Sequence, residues 1–152
     1  MVTTGRTNES SALPTWATLD ARVSGDANEK LTMLASRLES FLEHSVLTVA
    51  PTAGVTFEDP FDGALGCGQG TSTMSRRVVI SGLSEAELRG LNAQLVQLWR
   101  GFGYSIHHDE QTRVDDDNFL TVKHFHIEVS STPSRPLDLG GSTPCVADDA
   151  AP

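Results

Sequence analysis

Apolar positions along this chain fall into two helical stripes and several alternating runs. Leu31, Leu34, Leu38, Phe41 and Leu42 recur every three or four residues, with Glu29, Lys30, Arg37, Glu39 and Glu43 on the remaining faces. This spacing predicts an amphipathic helix over 27–45. Asp26 and Glu29 stand three residues apart at its start, as in a capping box. A helix apolar on one side needs another element to cover that side. Trp16 and Leu19 upstream are expected to dock as a short turn. A second stripe, Leu88, Leu91, Leu95, Leu98 and Trp99, predicts a helix over 85–101. Ser84 and Glu87 open it and Gly101 and Gly103 close it.

Between the two stripes, Arg76–Ser81 carries the β-branched run Val78-Val79-Ile80 and reads as a strand. After the second helix, Tyr104–His108, a long segment 118–130, and Leu137–Ser142 read as three more, close enough in sequence to form an antiparallel meander. Along 118–130, Phe119, Thr121, Lys123, Phe125, Ile127 and Val129 are expected to face the core. Leu120, Val122, His124, His126 and Glu128 are expected on a more polar face. Residues 50–73 hold Pro51, Gly54, Pro60, Gly63, Gly66, Gly68 and Gly70 and read as a long loop. Within it, Val55–Phe57 is expected as a short strand, and Phe57 and Phe61 as buried anchors. The predicted class is α+β, an antiparallel sheet of about four strands with both helices packed on one face. There is no internal repeat.

Composition refines this picture. The chain has 152 residues, of which 38% are hydrophobic, which fits one domain with polar ends. Residues 1–25 are rich in Thr, Ser, Asn and Ala and read as a flexible tail or spacer. Residues 26–146 read as the single domain, and 147–152 as a disordered acidic tail. Eleven Lys and Arg against 20 Asp and Glu give a net charge of −9. That balance argues against a nucleic-acid partner and against attraction to anionic lipid. Asp109, Glu110, Asp115, Asp116 and Asp117 read as the solvated tip of a hairpin. The run Asp115–Asn118 lacks the alternating ligands, central glycine and distal glutamate of an EF-hand loop.

The chain has two cysteines, Cys67 in a glycine-rich stretch and Cys145 near the C-terminus. Their placement reads as one staple closing the domain, which belongs to an oxidising, extracytoplasmic compartment. No apolar run is long enough to span a membrane, and Met1–Ser11 shows no secretory h-region. Two accounts remain open. Either a leader has been removed ahead of this sequence, or the protein is cytosolic with two free thiols. The first is the leading expectation.

Histidines are the best candidates for chemistry. His107 and His108 fall on one predicted strand, and His124 and His126 on the next. The His124-x-His126 pair with Glu128 has donor types that suit zinc, and His107 is placed on the same face. No third ligand is fixed by spacing, so solvent-facing histidines are the simpler account, and no cofactor is expected. Gly63–Thr71 lacks the lysine and following helix of a phosphate loop. No hydrolase signature surrounds Cys67, and there is no Gly-x-Ser-x-Gly elbow. No catalytic residue is assigned.

The order of motifs supports one resemblance. A helix, then Phe57-Glu58-Asp59-Pro60 leading to Cys67, a strand, a helix ending Leu98-Trp99-Arg100-Gly101-Phe102-Gly103-Tyr104, a hairpin and a closing Gly141-Ser142-Thr143-Pro144-Cys145-Val146 run in sequence. Over about Asp26–Val146 this resembles small extracytoplasmic domains of actinobacterial lipoproteins of the LppA type. The resemblance implies pairing of Cys67 with Cys145, a cell-envelope location and a lipid anchor on a missing leader. It implies no settled activity. The expected function is a non-enzymatic envelope domain that binds a ligand or a protein partner. Two alternatives stand beside it: a cytosolic acidic interaction or inhibitor protein, and a zinc protein using the histidines.

Overall fold

The computed structural model describes residues 27–108, 117–122 and 124–147. The expected N-terminal tail and Asp26 cap, the acidic tip up to Asp116 and the last five residues lie outside them. The elements run α1 (Ala27–Val49), β1 (Gly54–Glu58), β2 (Leu65–Gly68), β3 (Thr71–Thr73), β4 (Ser75–Ser81), α2 (Glu85–Gly101), β5 (His107–His108), β6 (Asn118–Val122), β7 (Phe125–Ser130), β8 (Asp138–Ser142) and β9 (Val146–Ala147).

The class is α+β with two helices, but the sheet is larger than expected. Six antiparallel strands run in the order β1-β4-β8-β7-β6-β5, and β2-β3-β9 form a second, small antiparallel sheet. Three differences produce the extra strands. The segment 118–130 is a hairpin rather than one strand, with Val122 paired opposite Phe125; Lys123, expected to face the core, lies outside the described residues. His124, between the two strands, takes a left-handed φ of 70°. Residues 50–73 hold the expected short strand, as β1, and also β2 and β3 where a loop was expected. A short return strand, β9, pairs Val146 with Ser72.

The reversal between β6 and β7 inverts the predicted facing of β6. Opposed residues in an antiparallel pair share a face, and Leu120 lies opposite Ile127 and Val122 opposite Phe125. Leu120 and Val122 are therefore buried beside Phe125, Ile127 and Val129. Phe119 and Thr121, expected in the core, stand on the opposite face with His126 and Glu128. At the C-terminal end, Leu139 is opposite Val129 and also buried.

The helices cover this inner face. Leu34, Leu38, Phe41, Leu42 and Val46 of α1 and Leu95, Val96 and Trp99 of α2 form one core with the inward strand residues. Helix α1 runs past the predicted end because Val46 extends its apolar stripe. The Ala50 amide then donates to the Val46 carbonyl (2.7 Å) and Pro51 follows. Ser45, fully buried, donates to the Phe41 carbonyl (2.8 Å) and accepts from Trp99 Nε1 (3.1 Å). This satisfies the one polar atom of Trp99 inside the core. Helix α2 opens with the predicted capping box, in which Glu87 N donates to Ser84 Oγ and Ser84 N to the Glu87 carboxylate. The bond from the Ser84 amide is the main cause holding the Glu87 carboxyl below its ordinary range.

One contact fixes how closely α1 approaches the sheet. A Cβ on Gly141 would stand 2.5 Å from the His126 carbonyl oxygen and 3.2 Å from Leu38 Cδ1. Only a residue without a side chain fits there. Gly141→Ala is expected to destabilise the fold by about 1–3 kcal/mol through overpacking. In urea this appears as a lower midpoint with an unchanged slope.

Candidate functional site

With both helices on the inner face, the outer face of the six-stranded sheet carries the exposed chemistry. One row of register partners crosses its whole width: His107, Phe119, Glu128, Gly140, Arg77 and Glu58, on β5, β6, β7, β8, β4 and β1 in turn. The neighbouring row holds Thr121, His126, Ser142 and Ser75.

The predicted histidines separate on this surface. The Phe119 ring lies between His107 and His126, with centroids at 5.2 and 5.5 Å. His126 Nε2 is 3.0 Å from Glu128 Oε2. That hydrogen bond is the main cause holding the Glu128 carboxyl below the usual carboxylate range. Partial burial opposes it, and the imidazolium charge adds to it. His124 stands apart in the β6–β7 turn. His108, opposite Asn118, belongs to the other face. Thus His126 and Glu128 come together, His107 is separated from them by an aromatic ring, and His124 does not join. Among the described residues no group of three His, Cys, Asp or Glu side chains is placed to hold a metal ion.

Cys67 and Cys145 are bonded, with Cα atoms 6.4 Å apart, so both cysteines are consumed. Cys67 is on β2 and Cys145 just precedes β9, so the bond fastens the C-terminal segment to the small sheet. The glycine-rich stretch around Cys67 is a β-hairpin. Gly68 faces Thr71 across a two-residue turn in which Gln69 and Gly70 have φ of 54° and 75°. Both positions need the left-handed region that hairpin turns of this length demand. A second clasp was not singled out in the sequence. Thr143 is buried, its Oγ1 accepts from the Met74 amide (3.1 Å), its own amide donates to the Met74 carbonyl (2.9 Å), and its carbonyl accepts from Thr73 Oγ1 (2.7 Å).

Sequence reasoning also missed a cavity of about 180 Å³ on the outer face, over Gly140. Its floor is β8, where Gly140 puts no side chain on this face. Glu128 and Arg77 stand on either side, Asp138 and Ser142 stand along β8, and Phe61 forms a lip. Asp138 pairs with Arg77 (3.5 Å) and Arg135 (3.3 Å). Phe61 was expected as a buried anchor but is 54% exposed. The loop carrying it turns on Asp59, whose Oδ1 accepts from the Phe61 amide (3.3 Å). No sequence spacing links Phe61, Arg77, Glu128 and Gly140, because β8 pairs on one edge with β4, far from it in the chain.

No family model matches this chain, and no curated protein and no solved structure is significantly similar to it. No described helix is long and apolar enough to cross a membrane.

Two outcomes are expected from these contacts. Thr143→Val keeps the shape but leaves the half-buried Met74 amide without its acceptor, at a cost of about 1 kcal/mol in denaturant unfolding. Glu128 has a folded-state pKa below its ordinary 4.5. Its stabilising contribution is therefore present above that value and lost as pH falls through the lower folded value. The stability gap between the native chain and Glu128→Gln, under about 1 kcal/mol for so exposed a pair, should close as pH drops below 4.5. Urea midpoints measured across that range check it.

Proposed function

We propose that this chain is a non-enzymatic, extracytoplasmic domain of the cell envelope, lipoprotein-like in character, that binds a ligand or protein partner on the open face of its six-stranded sheet. The Cys67–Cys145 bond carries the compartment half of this reading. A bond between residues 78 apart survives where thiols are not continually reduced. In the chain-entropy account, a loop of that length contributes roughly 4.5 kcal/mol, comparable with the whole stability of a small domain. Both cysteines are exposed, so a reducing cytosol would have ready access to the bond.

The binding half rests on the outer face. It presents an aromatic row, paired charges and a cavity, and the described residues place neither helix over it. Shallow polar sites on rigid strands suit recognition, and antiparallel sheets commonly leave one face to solvent.

The test is the intact mass and free-thiol count of the denatured protein, made once with export to an oxidising compartment and once in the cytosol. The exported protein should show no free thiol and gain two hydrogens on reduction. Complete reduction should lower its Tm by on the order of 10 °C. Two free thiols in both preparations would remove the ground for an extracytoplasmic location. The acidic cytosolic interaction protein would then become the better reading, marked by salt-sensitive binding to a basic partner.

A further inference from the structure

We infer that the cavity over Gly140 is a binding site for a neutral saccharide, one sugar ring deep. This rests on the reading of the open sheet face as the ligand surface, and it names the ligand class. Strands lie about 4.8 Å apart, and β8 separates β7 from β4, so Glu128 and Arg77 face one another across two strand spacings with no side chain between them. Their gap is floored by backbone. At about 180 Å³ the cavity is smaller than the roughly 300–1,000 Å³ of pockets for drug-sized ligands. It suits a single six-membered ring.

The charged groups on its rim already have partners. Glu128 is bonded to His126 at 3.0 Å, and Asp138 lies 3.5 Å from Arg77 and 3.3 Å from Arg135. A charged ligand would have to disrupt one of these pairs. A neutral ligand would not, and each rim group keeps hydrogen-bonding capacity. A carboxylate offers about four acceptor sites and a guanidinium five donors, while the Ser142 hydroxyl can do either. A dense array of ligand hydroxyls, each both donor and acceptor, complements that rim. Phe61 supplies the remaining requirement, an exposed aromatic ring at the lip of a polar cleft, able to cover the C–H face of a sugar.

The test is an amide-detected NMR titration of the whole oxidised protein with glucose, galactose, mannose and N-acetylglucosamine. Glycine as a zwitterion and inorganic phosphate serve as competing chemistries. At least one sugar should give saturable shifts at Phe61, Gly140 and Ser142, with Kd on the order of 1 mM or tighter. Phe61→Ala and Glu128→Gln should each weaken binding by about fivefold or more, while Phe61→Trp retains it. Both sites are exposed, and native amide dispersion of each variant confirms folding. Gly140 is left intact, because a Cβ there would meet the Arg76 carbonyl at 2.7 Å and disturb the sheet itself. Absence of saturable shifts with all four sugars overturns the assignment. So does saturation by glycine or phosphate alone, or affinity that neither variant alters. Sugar-induced shifts confined to His107 and Phe119 would overturn this site while leaving the open face as the ligand surface. The thiol count bears on the compartment alone, so the two readings fail separately.

Discussion

The fold depends on the insertion of β8 between β4 and β7. Without it the β1–β4 pair and the β5–β6–β7 meander are two separate ribbons, and a two-stranded ribbon alone is marginal in water. Strand β8 joins them through backbone bonds on both edges, and its Leu139 enters the core beside Val129. Gly141, on the same strand, lets α1 come down onto the sheet at Leu38. The pairing Arg77–Gly140 links residues far apart in the chain, so its loop-closure entropy must be met before the sheet gains anything. That cost explains why the segment just after β8 is so heavily tied.

The ties are of two kinds. The Cys67–Cys145 bond is covalent and exposed, while Thr143 is buried and works by hydrogen bonds to Thr73 and Met74. They flank Pro144, which cannot donate to a ladder. The chain leaving β8 is thereby held against the β3–β4 junction, and β9 pairs with β3 beyond it. Thr143 fixes the geometry locally, and the disulfide restricts how far the unfolded chain can separate from it.

The helices were legible because each carries its signals within one or two turns. Leu31 to Leu42, the Ser84–Glu87 box and Gly103 are local features, and α2 begins and ends where they place it. The strands were less so. The alternation Leu120, Val122 and then Phe125, Ile127, Val129 shifts phase by one residue at 123–124. Such a shift marks a two-residue turn. Reading through it as one strand placed Phe119 in the core and Leu120 outside. The Gln69-Gly70 turn was hidden in the same way by a run of glycines that resembled a loop. Of the candidate site, the His126–Glu128 pair was visible as two residues on one strand face. The cavity was not, since Phe61, Arg77 and Gly140 meet only through the non-local insertion of β8.

The two faces of β7 show what kind of recognition this molecule supports. Phe125, Ile127 and Val129 are buried, and His126, Glu128 and Ser130 alternate with them on the outside. A second layer over the outer face would have to desolvate the His126–Glu128 and Arg77–Asp138 pairs, and pairs of that kind rarely regain the cost on burial. The single aromatic of the central row, Phe119, is enclosed by His107 and His126 rather than left as an apolar patch. Apart from Phe61 and Val79, a flat hydrophobic partner finds little to bury here. A polar ligand that meets the pairs without displacing water from all of them finds donors and acceptors fixed on rigid strands. A depression on that face lies over Gly140, where β8 carries no outward side chain. The strand that completes the core thus also shapes the surface, and any ligand of the open face is read through the same residues that hold the sheet together.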